Sequence, residues 1–237
     1  MSPAVADDFG KDLAVVREYT MLSRRRLLSL YECVLECERS DVRGDYVECG
    51  VWKGGAVGLM ALANLRHGKN RRDLHLFDTF EGIPEPDESV DGERAVKEAK
   101  RLGVGFQGRL TSNPQFYEKM DREVGTLESN KRLLEETVGY DSRFIHYHKG
   151  FFQQTVPKAV EEIDSIAILR LDGDWYASTK VCLDYLYDKV VSSGFVIIDD
   201  YGAYEGCRRA VDEFLAARQI KVKLREVGAE LRLFAKP

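Results

Sequence analysis

Apolar positions in this chain follow two rhythms. Residues 11–39 place them at helical spacing, with Leu27, Leu28, Tyr31, Val34 and Leu35 on one side. Further on, short apolar runs alternate with helical stretches. "DYVECGVWKGGAVGLMALANL" reads as a strand, a Gly-rich turn and a helix of small residues; "DLHLFDTF" is a second strand, ending in Asp78. "RFIHYHKGFF", "SIAILRLDGD" and "GFVIIDDY" read as strands three to five, with helices near 155–163, 177–191 and 205–217. Such alternation predicts a parallel sheet with helices on both faces. The tail "KVKLREVGAELRLFAK" alternates on both sides of Val227-Gly228-Ala229 and predicts an antiparallel hairpin. The expected fold is therefore a single α/β domain over 1–237: a doubly wound, mostly parallel, seven-stranded sheet, with a C-terminal hairpin and an N-terminal helical segment at 1–43.

Residues 84–140 break the rhythm. They separate strands two and three by far more than an ordinary crossover, opening polar and Gly-punctuated and closing on a helical pattern, "TLESNKRLLEET". Long insertions in compact domains are lids or disordered segments. Anchorage at two strand ends favours a lid.

Composition narrows the function. A net charge of -5 leaves no basic footprint for nucleic acid. No apolar stretch is long enough to cross a bilayer, and "MSPAVADDFGKD" lacks the basic start and apolar core of a signal peptide. The cysteine count, five, is odd, and four of the five fall within helix or strand patterns, which argues against a disulfide framework; Cys33 and Cys37, four apart on a helix, have the spacing of metal ligands but no second pair or nearby His, and read as packing residues in a reducing, cytoplasmic setting.

The unusual residues gather where strands end, the edge at which open parallel sheets bind ligands. The turn "ECGVWKGGA" has the spacing G-x-x-x-G-G, with Val51 and Trp52 inside it. These bulky residues oppose close approach of a pyrophosphate, which disfavours NAD and FAD. With Asp78 ending the next strand, where a carboxylate can accept ribose hydroxyls, the turn suggests S-adenosylmethionine. Two strands end in paired acids, Asp172/Asp174 and Asp199/Asp200. One such Asp reads as a helix cap, and Asp172 or Asp174 is placed to cap the helix from about 177. Four close acids repel unless a cation holds them, and hard oxygen donors suit Mg²⁺, Ca²⁺ or Mn²⁺. His146 and His148 share one face of strand three and read as packed or rim residues; His67 and His75 read as part of a solvated patch around "RHGKNRR".

Six segments in order, "YTM" (19–21), "GDYVECGVWKGGA" (44–56), "FDTFEGIPEP" (77–86), "KGFFQQTVP" (149–157), "LRLDGDWYAST" (169–179) and "SGFVIIDDYGAYEGCRRAVDEF" (193–214), resemble the macrocin O-methyltransferase family. The resemblance implies a class I, Rossmann-like methyltransferase, dependent on S-adenosylmethionine and Mg²⁺, that methylates a sugar hydroxyl of a glycosylated natural product. It implies that Thr20, Met21, Glu48, Gly50, Gly54, Asp78, Phe80, Gly150, Phe152 and Asp172 bind the cofactor, with Asp78 on the ribose and Phe80 and Phe152 beside the adenine. It implies Asp172, Asp199 and Asp200 as metal ligands, Asp174 as general base, and a homo-oligomer, dimer or tetramer, with N-terminal helices between subunits. The least similar part, about 87–125, is expected to shape the acceptor pocket. A phenolic acceptor, a non-catalytic cofactor-binding protein, and a phosphatase of the haloacid dehalogenase type, whose strand-DxD motif "ILRLDGDWY" imitates, are the competing assignments.

Overall fold

A computed structural model describes residues 3–118 and 120–237. Met1 and Ser2, at the start of the segment read as leaderless, and Lys119 of the insertion lie outside the described residues. The strands are β1 (Asp45–Cys49), β2 (Leu74–Asp78), β3 (Ile145–Lys149), β4 (Ile166–Leu171), β5 (Val190–Ile198), β6 (Arg225–Val227) and β7 (Leu231–Ala235). They form one seven-stranded sheet in the order β3-β2-β1-β4-β5-β7-β6. The first five are parallel, whereas β7 pairs antiparallel with β5 and β6 antiparallel with β7, as the tail pattern predicts.

The helices are α1 (Pro3–Val16), α2 (Arg24–Arg39), α3 (Gly55–His67), α4 (Gly92–Leu102), α5 (Gln115–Glu118), α6 (Leu127–Lys131), α7 (Phe152–Ala159), α8 (Tyr176–Leu186) and α9 (Glu205–Ala217). Side chains alternate across the central strands, so each face has its own core. Tyr46, Leu74, Leu76 and Ile168 pack with Leu27, Tyr31, Val34 and Leu59 on one face. Val47, Phe77, Leu169 and Ile198 pack with Val156, Leu183 and Val211 on the other. The central strands β1, β2 and β4 are buried on both faces, which explains why they appear in the sequence as near-continuous apolar runs.

Several local expectations change. The N-terminal periodicity is two helices, not one. It breaks at Arg17–Tyr19, a single 3₁₀ turn, and resumes where the Ser23 hydroxyl accepts the Arg26 amide at 3.4 Å and caps α2. Strand β5 starts at Val190, earlier than the expected helix to 191 allows. His75 is no part of a surface patch: it is 3% exposed on β2 and stacks between His146 and His148. His67 is half-buried, 3.0 Å from the Tyr31 hydroxyl. All five cysteines are buried and free, consistent with packing. Among the described residues no helix is long and apolar enough to cross a membrane.

The insertion contains α4, α5 and α6, the last running into a π-helical turn at Arg132–Thr137. It lies docked on the C-terminal edge of the sheet. Trp175 Nε1 donates to the Pro84 carbonyl at 2.9 Å, Tyr204 Oη to Glu98 Oε2 at 2.9 Å, and Trp52 Nε1 to the Glu123 carbonyl at 2.9 Å. Ala95, Ala99, Val104 and Phe116 close a small apolar cluster around Trp175.

Candidate active site

Strand order reverses between β1 and β4, so the loops that follow these strands diverge and leave a crevice. The crossing is tight. Gly50 has φ +90°, and a Cβ built there would sit 1.8 Å from the Asp172 carbonyl oxygen. Only glycine fits that conformation and that approach. The Asp172 amide continues the ladder to the Cys49 carbonyl at 2.8 Å, and the Asp199 amide does the same to Leu171 at 2.9 Å. Strand register therefore delivers the acids to one place: Asp172, Asp199 and Asp200 each offer an oxygen within 4.8 Å of the others. The Asp174 amide donates to Asp200 Oδ2 at 3.1 Å, with Asp174 itself at φ 58°.

Their repulsion is partly met from beneath. Arg170, 1% exposed on β4, contacts Glu48 on β1, lies 2.9 Å from Asp172 Oδ2, and pairs with Asp199 Oδ1 at 3.1 Å. Arg26 of α2 reaches Asp199 Oδ2 at 2.9 Å and also pairs with Glu230 of the hairpin. The two guanidiniums thus pair with four carboxylates, Glu48, Asp172, Asp199 and Glu230, and among the described residues neither pairs with Asp174 or Asp200. The imbalance shows in the proton affinities. Burial, then the Asp172 charge, pushes Asp174 well above the usual carboxylate range; burial, then Asp174, does the same to Asp200. Asp199 is raised to about 6, by burial and Asp172 against the two arginines, and Glu48 to about 8, chiefly by burial. Glu48 Oε2 is buried without a hydrogen-bond partner among the described residues.

Neither Asp172 nor Asp174 caps the helix that follows. The first amide of α8, that of Tyr176, donates to Asp91 Oδ1 of the insertion at 2.6 Å.

Two cavities flank the acids. One is lined by Gly50, Asp78, Thr79, Phe152, Gln153 and Ser178 with Asp172 and Asp174. The other is lined by Met21, Arg26, Trp52, Phe116, Trp175 and Tyr204, again with Asp172 and Asp174. A narrow extension holds Thr20, Met21, Glu48 and Arg170. Of the expected cofactor residues, Thr20, Met21, Glu48, Gly50, Asp78, Phe152 and Asp172 line this system. The other three do not line it. Phe80, at φ 55°, is 3% exposed in the core and edge-on to Tyr147. Gly54 starts α3 facing Asn130, and Gly150 donates its amide to the Asp78 carbonyl at 2.9 Å. Asp78 also organises the glycine turn: Oδ2 accepts the Val51 and Trp52 amides at 2.7 and 3.0 Å, and Oδ1 accepts that of Phe80 at 2.7 Å.

Arg170, Arg26, Tyr117 and Asp91 also belong to the site, without a strand-end motif to mark them. A signal existed for Arg170: a charged residue inside the apolar run "AILRL" requires a buried partner. The other three lie on segments without a strand-end position to mark them.

Parallel strands in this order, an antiparallel hairpin at one edge and a carboxylate cluster at the switch point define a class I methyltransferase. The chain belongs to the macrocin O-methyltransferase (TylF) family, whose sequence profile matches residues 5–130 and 129–235. It is 36% identical over 207 residues to demethyldecarbamoylnovobiocin O-methyltransferase of Streptomyces niveus, covering 87% of this chain and 71% of the relative. It is 32% identical over 221 residues to 8-demethyl-8-(2,3-dimethoxy-alpha-L-rhamnosyl)-tetracenomycin-C 4'-O-methyltransferase of Streptomyces olivaceus, covering 92% and 75%. The solved structure of the O-methyltransferase NovP superposes with a TM-score of 0.69 at 32% identity, over 92% of this chain and 82% of that one. The protein is an O-methyltransferase of the S-adenosylmethionine-dependent class, which sets aside the phosphatase and the non-catalytic assignments.

Proposed function

We propose that this enzyme transfers the methyl group of S-adenosylmethionine to a hydroxyl of a small natural product, a sugar hydroxyl of a glycosylated secondary metabolite, with help from a divalent cation. The observation that carries this is the convergence of Asp172, Asp199 and Asp200 between two cavities. Support for a sugar acceptor comes from the rhamnosyl substrate in the name of the tetracenomycin relative.

The residues fit both groups. Asp78, Gly50, Phe152 and the buried, unpartnered Glu48 Oε2 offer polar and apolar contacts for an amino acid and a nucleoside. Three carboxylates form an all-oxygen donor set suited to Mg²⁺. When bound, such a cation supplies charge stabilisation for an alkoxide developing on the acceptor. Asp174 is the base: it lies beside the ligands, lines both cavities and receives the hydroxyl proton on its carboxylate. Arg170 and Arg26 hold Asp172 and Asp199 in place. The docked insertion, acting as a lid, excludes water and fixes the in-line approach. The enzyme works in the cytoplasm as a dimer or tetramer, which sedimentation velocity tests.

Calorimetry with S-adenosylhomocysteine tests the cofactor, and transfer of labelled methyl to a panel of glycosides and phenols, with Mg²⁺ or excess chelator, tests the rest. Micromolar binding and chelator-sensitive transfer to a sugar are expected. Absence of binding, or full turnover in chelator, overturns the corresponding part.

A further inference from the structure

Five residues line both cavities and so bound the passage between them: Gly50, Ile83, Tyr117, Asp172 and Asp174. Three of these have polar side chains. Two are the acids already assigned; the third, Tyr117, is neither a carboxylate nor a proposed ligand. It belongs to α5 of the insertion and is 8% exposed. Its ring stacks on Trp52, with centroids 6.1 Å apart and planes 22° from parallel, so its direction is fixed. Among the described residues its hydroxyl accepts and donates no hydrogen bond. The hydroxyl is not one of the fully enclosed side-chain atoms, so it is open to the cavities that Tyr117 lines. An unpartnered hydroxyl in a passage between two ligand cavities is placed to meet a ligand there.

From this placement, and resting on the cofactor assigned above, we infer that the Tyr117 hydroxyl contacts the group being transferred, so that Tyr117 favours the methylated sulfonium cofactor over its demethylated product. The passage is where the reacting centre of the cofactor must face the acceptor. A sulfonium is positively charged and polarises its methyl C–H bonds; the product thioether is neutral. A phenol oxygen beside that methyl accepts weak C–H···O contacts, and the ring face attracts the cation. Burial first, then the charges of Asp78, Asp174 and Asp172, keeps the phenol protonated, so its contribution is contact, and proton removal stays with Asp174.

The test replaces Tyr117 by Phe, which keeps the ring and its stack on Trp52 and removes the hydroxyl alone. Calorimetry on both proteins uses three probes: S-adenosylmethionine, S-adenosylhomocysteine, and sinefungin, which carries an amine in place of the methyl sulfonium. Y117F should weaken S-adenosylmethionine by about two- to fivefold, the range of a lost C–H···O contact. Sinefungin, able to form a full charge-assisted hydrogen bond, should weaken by about tenfold or more. S-adenosylhomocysteine should change by less than about twofold, since it offers the hydroxyl nothing charged. Thermal unfolding should coincide for the two proteins. If Y117F leaves all three affinities unchanged, or weakens all three equally, the inference about Tyr117 falls while the cofactor assignment stands. If the unaltered enzyme binds none of the probes, the cofactor assignment itself falls.

Discussion

The Tyr176 amide donates to Asp91 Oδ1 at 2.6 Å, so the helix after the acid motif takes its cap from a segment 85 residues earlier. Asp91 is 2% exposed, and its other oxygen accepts the Asp87 amide at 2.7 Å. One buried carboxylate thereby ties the insertion to the backbone two residues from Asp174. Gly206 makes room for it: a Cβ there would come within 2.0 Å of Asp91 Oδ1.

Asp91→Ala should therefore destabilise the fold by about 1–2 kcal/mol, the worth of a lost cap. The insertion should also be cleaved faster by protease, while Asp91→Asn, which keeps one of the two accepting oxygens and sets an NH2 donor against the other amide, should fall between the parent and Asp91→Ala. Gly206→Ala should mimic Asp91→Ala by displacing the carboxylate. Urea unfolding and limited proteolysis of the three variants measure this. Equal cleavage of parent and Asp91→Ala would show that the cap does not hold the insertion down.

Arg170 offers a second test. It stands between Glu48, Asp172 and Asp199, all in or beside the buried sheet edge. Removing one partner of a buried ion pair leaves uncompensated charge and costs about 3–5 kcal/mol. Arg170→Met should cost at least that much, and adding Glu48→Gln to it should recover a part, because one orphaned acid is removed. Denaturant midpoints for the two single variants and the double variant decide it. Strict additivity would mean that the pair is not coupled.

A third prediction follows from the stacked histidines. His148 lies 4.2 Å from the Phe77 ring centroid and accepts or donates across 3.1 Å to His75 Nδ1. Burial first, then the neighbouring His75 and His146, lowers its pKa to about 4. His75 faces Asp45 at 3.4 Å and His146 faces Asp73 at 2.7 Å. The unfolded chain protonates this imidazole near its ordinary value of about 6.5. Between the two values the unfolded state binds the proton and the native state refuses it, so stability rises with pH there. The contribution is intact above about pH 6.5 and is lost as pH falls toward about 4. Melting temperatures from pH 7.5 to 4.5 should fall less steeply for His148→Phe than for the parent. Parallel curves would rule His148 out as a source of acid sensitivity.

What was legible in the sequence follows from how each feature is encoded. The parallel strands and their terminal acids are local: β2 and β4 are buried along their whole length, and the acids follow directly. The break before α2 is not local in the same way. Apolar spacing continues through it, and it is fixed by contacts such as Arg17 Nη1 to the Leu22 carbonyl at 2.8 Å. His75 looked exposed because a basic turn precedes it, yet strand alternation sets it two residues from Phe77, on the same face, and the register with β3 completes its burial. Asp91 and Tyr117 sit in a polar insertion without periodicity. Their roles come from docking on the sheet edge, which no pattern along the chain records.

Asp174 supplies the most discriminating prediction, because its backbone selects the right probe. Its φ of 58° lies in the left-handed region, which Asn tolerates as Asp does and which strains most other residues. Asp174→Asn therefore keeps the shape and loses only the basic oxygen. Loss of a general base acts on the transition state and spares ground-state binding. S-adenosylhomocysteine affinity should hold, and turnover should fall by about 10²–10⁴-fold. Asp172→Asn should differ: it weakens the cation site and also frees one arm of Arg170, so raising Mg²⁺ should restore part of its rate. Excess Mg²⁺ should not restore Asp174→Asn. Initial rates of both variants across a Mg²⁺ titration, with Mn²⁺ affinity read independently by electron paramagnetic resonance, separate the roles. Recovery of Asp174→Asn at high Mg²⁺ would make Asp174 a ligand and send the search for the base to another side chain lining the acceptor cavity.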